Sequence, residues 1–425
     1  MNIIIRSARI IDKNSADNGQ VKDIWIDNGI IKEIGKDLIV ENATVIESSG
    51  LCVSPGWFDM RVNFRDPGFE YKEDLISGMD AAASGGFTGV ACMPSTLPPI
   101  HSKSEVEYVL NKTRGALVDV FPVGTVSHQQ EGKDLSEMYD MKLSGAVAFS
   151  DDKKPLSDPG LLQRALLYVK SFDGLIISYP EDKSLSQNGK INEGVISTVT
   201  GLKGIPSLAE EIMIQRDIFL SEYTDSRIHF ATISAEKSVE LIREARKKGL
   251  KVSAEVSVSH LALNESFLTD FNTNYKIKPP LRTARDVEAL IEGLIDGTIE
   301  VICSDHTPED EEMKKREFDH AAFGIISLEA AFAAANTVLR GKLSLEKLID
   351  KIAINPRKIL NLKVPVVKIG EAANLTIFNP DEEWVFESKH IKSKSKNTPF
   401  IGTKFTGKPF AVINHNQIKY SHYES

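Results

Sequence analysis

Four polar side chains recur at every second position of the stretch WFDMRVNFR: Asp59, Arg61, Asn63 and Arg65. In an extended chain that period places all four on one face. A carboxylate, an amide and two guanidiniums grouped in this way can bind anions or move protons. Other chemistry-bearing residues follow apolar runs in the same manner: Ser150, Asp151 and Asp152; Tyr179, Glu181 and Asp182; His229 and Thr232; and Ser304-Asp305-His306-Thr307-Pro308-Glu309. The set is rich in acids and poor in imidazoles. Among the nine histidines there is no His-x-His or His-x-x-x-His pair, so the neutral nitrogen ligands that zinc prefers are not paired anywhere. His229 and His306 read as makers of structural hydrogen bonds. Asp59, Asp151 and Asp305 could instead form an oxygen-only site for a hard cation such as magnesium. The permanently charged guanidinium of Arg61 would then be a poor neighbour.

The elements that must carry these side chains alternate. Strand-like apolar segments fall at 57–64, 89–93, 118–126, 145–149, 174–179, 227–233, 251–257 and 300–304. Amphipathic helical patterns lie between and after them, at 72–84, 104–113, 159–169, 207–222, 235–248, 284–294 and 326–339. Eight strands separated by helices predict a parallel (β/α)₈ barrel, whose chemistry sits at the C-terminal ends of its strands. The competing open, doubly wound sheet would favour a glycine-rich phosphate loop after its first strand, and none is present. Both chain ends read as β-structure instead. Asp27-Asn28-Gly29 marks a hairpin turn in the first fifty residues, and Gly402, Gly407 and Pro409 break the last sixty. The expectation is a composite β-sandwich of residues 1–52 and 366–425, with the α/β barrel spanning 53–365.

A chain of 425 residues accommodates this plan of one large barrel and one small module. With 41% hydrophobic and 26% charged residues it has the mix of a soluble globular protein. The net charge of −9 argues against nucleic acid as a partner. The seven lysines of 389–419, unaccompanied by any acid, read as a solvated β-surface. Cys52, Cys92 and Cys303 stand singly inside apolar runs and read as small buried hydrophobes in a reducing cytoplasm. The N-terminus lacks the pattern of a signal peptide, and no apolar run has the roughly 18 residues of a membrane span. The expected location is cytoplasmic.

Long motifs in a fixed order then carry a resemblance. PGWFDMRVNFRDPG (55–68) resembles the dihydroorotase signature, in which the first barrel strand bears His-x-His followed by Arg, Pro and Gly. GGFTGVACMPSTLPP (85–99), AFSDD (148–152), YPED (179–182), IHFATIS (228–234), KIKPPLR (276–282), SDHTPE (304–309) and SKSKNTPFIGTKFTGK (393–408) are similar to successive motifs of the same family, which belongs to the amidohydrolases. The resemblance implies a metal-dependent hydrolase that opens and closes the ring of dihydroorotate with one or two zinc ions. Zinc would acidify a bound water and polarise the amide carbonyl.

Carried over residue by residue, the implied ligand positions are occupied by Arg61, Asn63, Asp151, Tyr179, Thr232 and Asp305. The four imidazoles are replaced, and the two aspartates remain. Asp305 is the remnant of the catalytic proton shuttle. Arg65 stands where the family grips a substrate carboxylate, whereas the partnering asparagines are Ser95 and Lys278. Arg65 could equally be an ion-paired structural residue beside Asp66 and Glu70. Glu309 replaces a histidine and would repel a carboxylate, and Phe323-Gly324 resembles a segment that contacts the ring. The charged run 309–317 reads as a solvated, flexible segment.

No zinc or other cofactor is expected. Arg61 is expected to reach Asp151 or Asp305 and supply the missing positive charge. Three functions follow. The chain could be a non-catalytic structural or regulatory partner in pyrimidine biosynthesis, of aspartate transcarbamoylase or an active dihydroorotase paralogue, and itself a homo-oligomer. It could be an active cyclic amidohydrolase with an atypical metal site. It could be a sensor that binds an anionic metabolite through Arg61 and Arg65.

Overall fold

The structure, a computed structural model, describes residues 1–421; His422 and the end of the C-terminal segment lie outside it. Five strands open the chain: β1 (Asn2–Ile10), β2 (Val21–Asp27), β3 (Ile30–Gly35), β4 (Thr44–Ile46) and β5 (Cys52–Pro55). Three close it: β16 (Leu375–Val385), β17 (Lys404–Asn414) and β18 (Gln417–Tyr420). All eight belong to one sheet, ordered β18-β17-β16-β5-β1-β2-β3 with β4 added to β1. β5 lies between the two ends of the chain, parallel to β1 on one edge and antiparallel to β16 on the other. Ile3, Ile5, Ile24, Val53 and Ile377 share the apolar core of this sheet. Ile30 bridges to Ala372, so the sheet curls back on itself.

Between the two ends lie the barrel strands β6 (Trp57–Val62), β7 (Phe87–Cys92), β8 (Asp119–Gly124), β9 (Ala148–Phe149) and β10 (Ile176–Ser178). A two-residue pair, β11 (Ile191–Asn192) and β12 (Gly204–Ile205), is inserted before β13 (Ile228–Phe230), β14 (Val252–Ser257) and β15 (Val301–Cys303). The barrel pairs are parallel. A bridge from Val62 to His306, with Asn63 N–H donating to the His306 carbonyl at 2.8 Å, brings the last strand back to the first. The strand–helix alternation thus produces a nearly closed parallel barrel of eight strands.

Helices begin where the sequence supplies caps. Asp74 with Ser77, Ser102 with Glu105, and Thr283 with Asp286 form reciprocal capping boxes at the helices Leu75–Ser84, Lys103–Lys112 and Ala284–Asp296. Trp57 joins the two modules. Its ring packs against Phe332 and Phe378, with centroids 4.4 and 5.2 Å away, and its backbone N–H donates to Thr376 Oγ1.

Several barrel strands end earlier than the apolar runs suggest. Past their ends the backbone turns left-handed at Arg65, Asp152, Thr232 and Asp305, with φ of 62°, 52°, 43° and 54°. The lysine-rich segment is not charged in isolation, because Lys389, Lys394, Lys404, Lys408 and Lys419 pair with acids. Among the described residues, no helix is long and apolar enough to cross a membrane. The three cysteines are buried and free. Burial pushes the thiols of Cys52 and Cys92 up to about 11 and about 12.

Candidate functional site

Of the six positions carried over by resemblance, Arg61 lies on β6, Asn63 and Tyr179 follow the ends of β6 and β10, and Thr232 and Asp305 sit in left-handed turns past β13 and β15. Asp59 and Arg61 lie on β6 and Asn63 just beyond it, all three buried. Asp59 faces backbone rather than a cation: it accepts from Arg61 N–H and Ser304 N–H, both at 2.9 Å. Burial pushes its carboxyl up to about 7, against the lowering effect of those bonds.

Arg61 is fully enclosed. Its Nε donates to Glu255 Oε1 at 2.8 Å, and Nη1 donates to Asp152 Oδ1 at 2.6 Å. Burial works against the charge, but Glu255 and Asp152 outweigh it and hold the guanidinium protonated. Despite burial, Arg61 with help from Lys153 keeps Asp152 below the usual carboxylate range, and His229 together with Arg61 does the same for Glu255. The expected pairing of Arg61 with Asp151 or Asp305 therefore gives way to Asp152 and Glu255.

Asp151 also departs from its assigned place. It accepts from the backbone of Val126 and Ser127 at 2.8 and 3.0 Å and from the Ser127 hydroxyl. The left-handed turn at Asp152 is the reason. It ends the alternation after the two-residue strand β9, aims Asp152 inward and leaves Asp151 to tie down the neighbouring loop. Ser95 Oγ donates to Asp152 Oδ2 at 2.7 Å, so Ser95 faces this carboxylate.

Asp305 is claimed by a second internal cation. Lys153 Nζ donates to Asp305 Oδ2 and to the Lys278 carbonyl, each at 2.7 Å. Burial raises the Asp305 carboxyl, and Lys153 and Arg61 only partly oppose this. Its Oδ1 is buried without a hydrogen-bond partner, as are both side-chain polar atoms of Asn63 and the Thr232 hydroxyl. Tyr179 is buried, and burial together with Glu181 pushes its phenol well up. His229 Nδ1 pairs with Ser253 Oγ at 2.8 Å while Nε2 lies 3.4 Å from Glu255; His306 Nε2 lies 3.5 Å from Glu73.

Around these residues opens a cavity of about 570 Å³, lined among others by Asn63, Arg65, Ser95, Lys153, Lys278 and Phe323. Three of its cations, Arg65, Lys153 and Lys278, are already met by carboxylates. Lys278 Nζ lies 2.8 Å from Glu181 Oε1. Arg65 pairs with Glu309 at 2.8 Å, not with Asp66 or Glu70, because its left-handed backbone swings the side chain towards the segment after β15. Asp66 instead takes Lys112 and Tyr108. Lys72 joins Arg65 on Glu309 at 2.6 Å. The run 309–317 is thus not simply solvated: Glu309 and Lys314 are buried, and Glu311–Lys314 forms one helical turn.

This donor set does not fit a divalent metal. Among the described residues, no group of three or more His, Cys, Asp or Glu side chains could hold one. The inward carboxylates Asp152 and Asp305 already bind a guanidinium and an ammonium, which a metal would have to displace without a nitrogen ligand to replace them. Asp59, Asp151 and Asp305 do not make the oxygen-only cluster, since Asp59 and Asp151 are spent on backbone N–H groups. Four non-glycine residues in the left-handed region follow barrel strands at the mouth, a conformation that this chain also uses in turns elsewhere. Sequence reasoning missed Glu255, Lys153 and Lys72. A lone acid inside the apolar strand VSAEVS was the available signal for Glu255.

Comparison with known proteins follows the same lines. A family model described as dihydro-orotase-like matches residues 50–238, and an amidohydrolase family model matches residues 192–414. The chain is 46% identical over 420 residues to a dihydroorotase of Acetivibrio thermocellus, covering 98% of both chains. It is 45% identical over 423 residues to a dihydroorotase of Thermoanaerobacter sp., covering 99% of this chain and 97% of the other. Among solved structures it resembles an L-hydantoinase (dihydropyrimidinase) from Arthrobacter aurescens, with a TM-score of 0.85 and 23% identity over 100% of this chain and 97% of that one. That likeness speaks to the fold alone.

Proposed function

The chain belongs to the dihydroorotase family, and we propose that it serves pyrimidine biosynthesis as a non-catalytic member, a structural or regulatory partner of aspartate transcarbamoylase or of an active dihydroorotase paralogue. The observation that supports this reading is Arg61, fully buried beneath the mouth between Asp152 and Glu255. Amide hydrolysis at neutral pH needs an activated water, and a metal lowers that water's pKa most effectively. Here an internal guanidinium and the Lys153 ammonium occupy the carboxylates that would otherwise face such an ion. Asp305 alone, held by Lys153, is a weak base for unassisted water. What remains is shape, and a well-packed shape serves assembly.

The sensor reading is favoured by one observation, the polar cavity lined by Arg65, Lys153 and Lys278. It is weakened because Glu309, Asp305 and Glu181 already face those cations. The purified chain, supplied in turn with zinc, manganese and magnesium, is expected not to interconvert carbamoyl-aspartate and dihydroorotate above background. Sedimentation with the transcarbamoylase of the same organism is expected to show a complex. Metal-dependent turnover abolished by Asp305→Ala would overturn the non-catalytic reading. Stabilisation by orotate-like acids without any protein partner would favour the sensor.

A further inference from the structure

A second cavity, of about 530 Å³, opens at the opposite end of the barrel from the mouth, where the strands begin. The barrel lines it with Asp119 and Phe121 of β8 and with Arg357 of the helix Asn355–Ile359. The chain-end sheet adds two hairpin turns, Asn28-Gly29 and His415-Asn416, with all four residues in the left-handed region. The turns abut so closely that a Cβ on Gly29 would meet the Cβ of Asn416 at 3.0 Å. This wall is therefore preformed.

Arg357 departs from the rest of the lining. It is only 4% exposed, yet among the described residues no carboxylate pairs with it. The other ionisable groups are matched: His415 Nε2 lies 2.8 Å from Asp119, and Lys363 Nζ lies 3.3 Å from Glu371. Arg357 Nη1 donates to the carbonyls of Gly56 and Ala353 at 2.5 and 2.8 Å, and Nη2 reaches Thr88 Oγ1 at 3.3 Å. Three of the five guanidinium N–H groups are thus used. Those left, on Nε and Nη2, form the edge that takes a carboxylate or phosphate as a bidentate pair. Burial pushes the guanidinium down to about 9, opposed only by the more distant Asp119. A charge taken out of water without a counter-ion behaves in this way.

We propose that this cavity binds a small organic anion, whose carboxylate or phosphate pairs with the Nε–Nη2 edge of Arg357 and whose polar body is held by asparagine amides. Asn28, Asn374, Asn414 and Asn416 all line the space. Two of them are already fixed. Asn374 Oδ1 accepts from Thr88 Oγ1 at 2.7 Å, and Asn414 Nδ2 donates to the Leu117 carbonyl at 2.9 Å. This leaves the Asn374 donor and the Asn414 acceptor for a ligand that carries hydroxyl or amide groups. The volume suits a metabolite rather than a bare ion. The inference does not rest on any reading of the mouth, which lies across the barrel.

The test is calorimetric titration of the full chain with ribose 5-phosphate and with citrate, inorganic phosphate serving as the bare anion. At least one organic anion is expected to bind with a Kd below about 1 mM, tenfold or more tighter than inorganic phosphate. The tighter of the two assigns the headgroup. Arg357→Gln is expected to weaken this binding at least tenfold. Because that change also disturbs the bonds to Gly56 and Ala353, Ala372→Glu supplies a second variant. Ala372 lines the cavity from an exposed position, so the added carboxylate opposes the anion and is expected to leave the circular dichroism spectrum unchanged. Thermal unfolding separates the site from general salt effects. Excluded anions stabilise every variant alike, whereas a site-bound anion stabilises the unaltered chain and neither variant. Absence of saturable binding up to about 10 mM would overturn the proposal. So would affinity no better than that of inorganic phosphate, binding that survives Arg357→Gln or Ala372→Glu, or binding lost instead on Arg65→Ala at the mouth.

Discussion

Replacing Arg61 with methionine removes the guanidinium and keeps most of the stem. Two buried carboxylates lose a charge partner at 2.6 and 2.8 Å. Asp152 retains Ser95, and Glu255 retains His229 nearby, so only one of them need be stranded as a charge. Breaking a buried pair by removing one partner costs about 3–5 kcal/mol. A second route gives the same size. The stranded carboxyl escapes by taking a proton, and from an unfolded pKa near 4 this costs about 4 kcal/mol at pH 7 but only about 1.4 kcal/mol at pH 5. The signs reinforce each other. In the unaltered chain Asp152 and Glu255 titrate below their usual range, so their stabilisation is present above about pH 4 and is lost as pH falls through the folded values. In the variant a raised carboxyl brings a penalty that grows as pH climbs from about 4. The gap between the two proteins therefore widens with pH. Urea unfolding at pH 5 and pH 7.5 measures it. A gap below about 1 kcal/mol at pH 7.5, or one equal at both pH values, would refute the assignment of Arg61 as the internal counter-charge.

Arg61→His alone is expected not to restore a metal site, because Asn63, Tyr179 and Thr232 still supply no imidazole. Stoichiometric zinc by elemental analysis after dialysis would contradict this. Glu309→Gln releases Arg65 and Lys72 from their shared carboxylate, and calorimetric titration with a small dicarboxylate is expected to show binding tightened roughly tenfold, about 1.4 kcal/mol. Unchanged affinity would mean that these cations do not serve the cavity. The thiols of Cys52, Cys92 and Cys303 are buried and shifted upward, so a thiol reagent at pH 8 is expected to find none in the native chain and three after denaturation.

The barrel was legible because its alternation of apolar runs and capped helices is local, and the caps at Asp74, Ser102 and Thr283 stand in the sequence as written. The assignment of Arg61, Asn63, Tyr179 and Thr232 to imidazole positions rests on motif resemblance, which refers to position in the chain and not to conformation. Legibility ended where conformation decided direction. Asp151 and Asp152 are adjacent and chemically identical, and only a left-handed φ of 52° says which one faces the mouth. The counter-charges of Arg61 lie 91 and 194 residues away, beyond any periodic signal. Arg65 has Asp66 and Glu70 as near neighbours in sequence, but its own left-handed turn carries it to Glu309 instead.

The position of β5 sets an order of events in synthesis. One edge of this strand is filled early by β1, but the other pairs with β16, which begins 320 residues after Pro55, at Leu375. At ordinary translation speeds of about 5–20 residues per second, that edge waits about 15–65 s for its mate. During this interval the whole barrel emerges while the N-terminal strands present unpaired backbone and an uncovered isoleucine face, the type of edge on which chains aggregate. The C-terminal strands thus act as a late clasp. A nascent chain released before residue 375 would carry a finished barrel sequence beside an open sheet, and its fate would depend on whatever shields that edge in the cell.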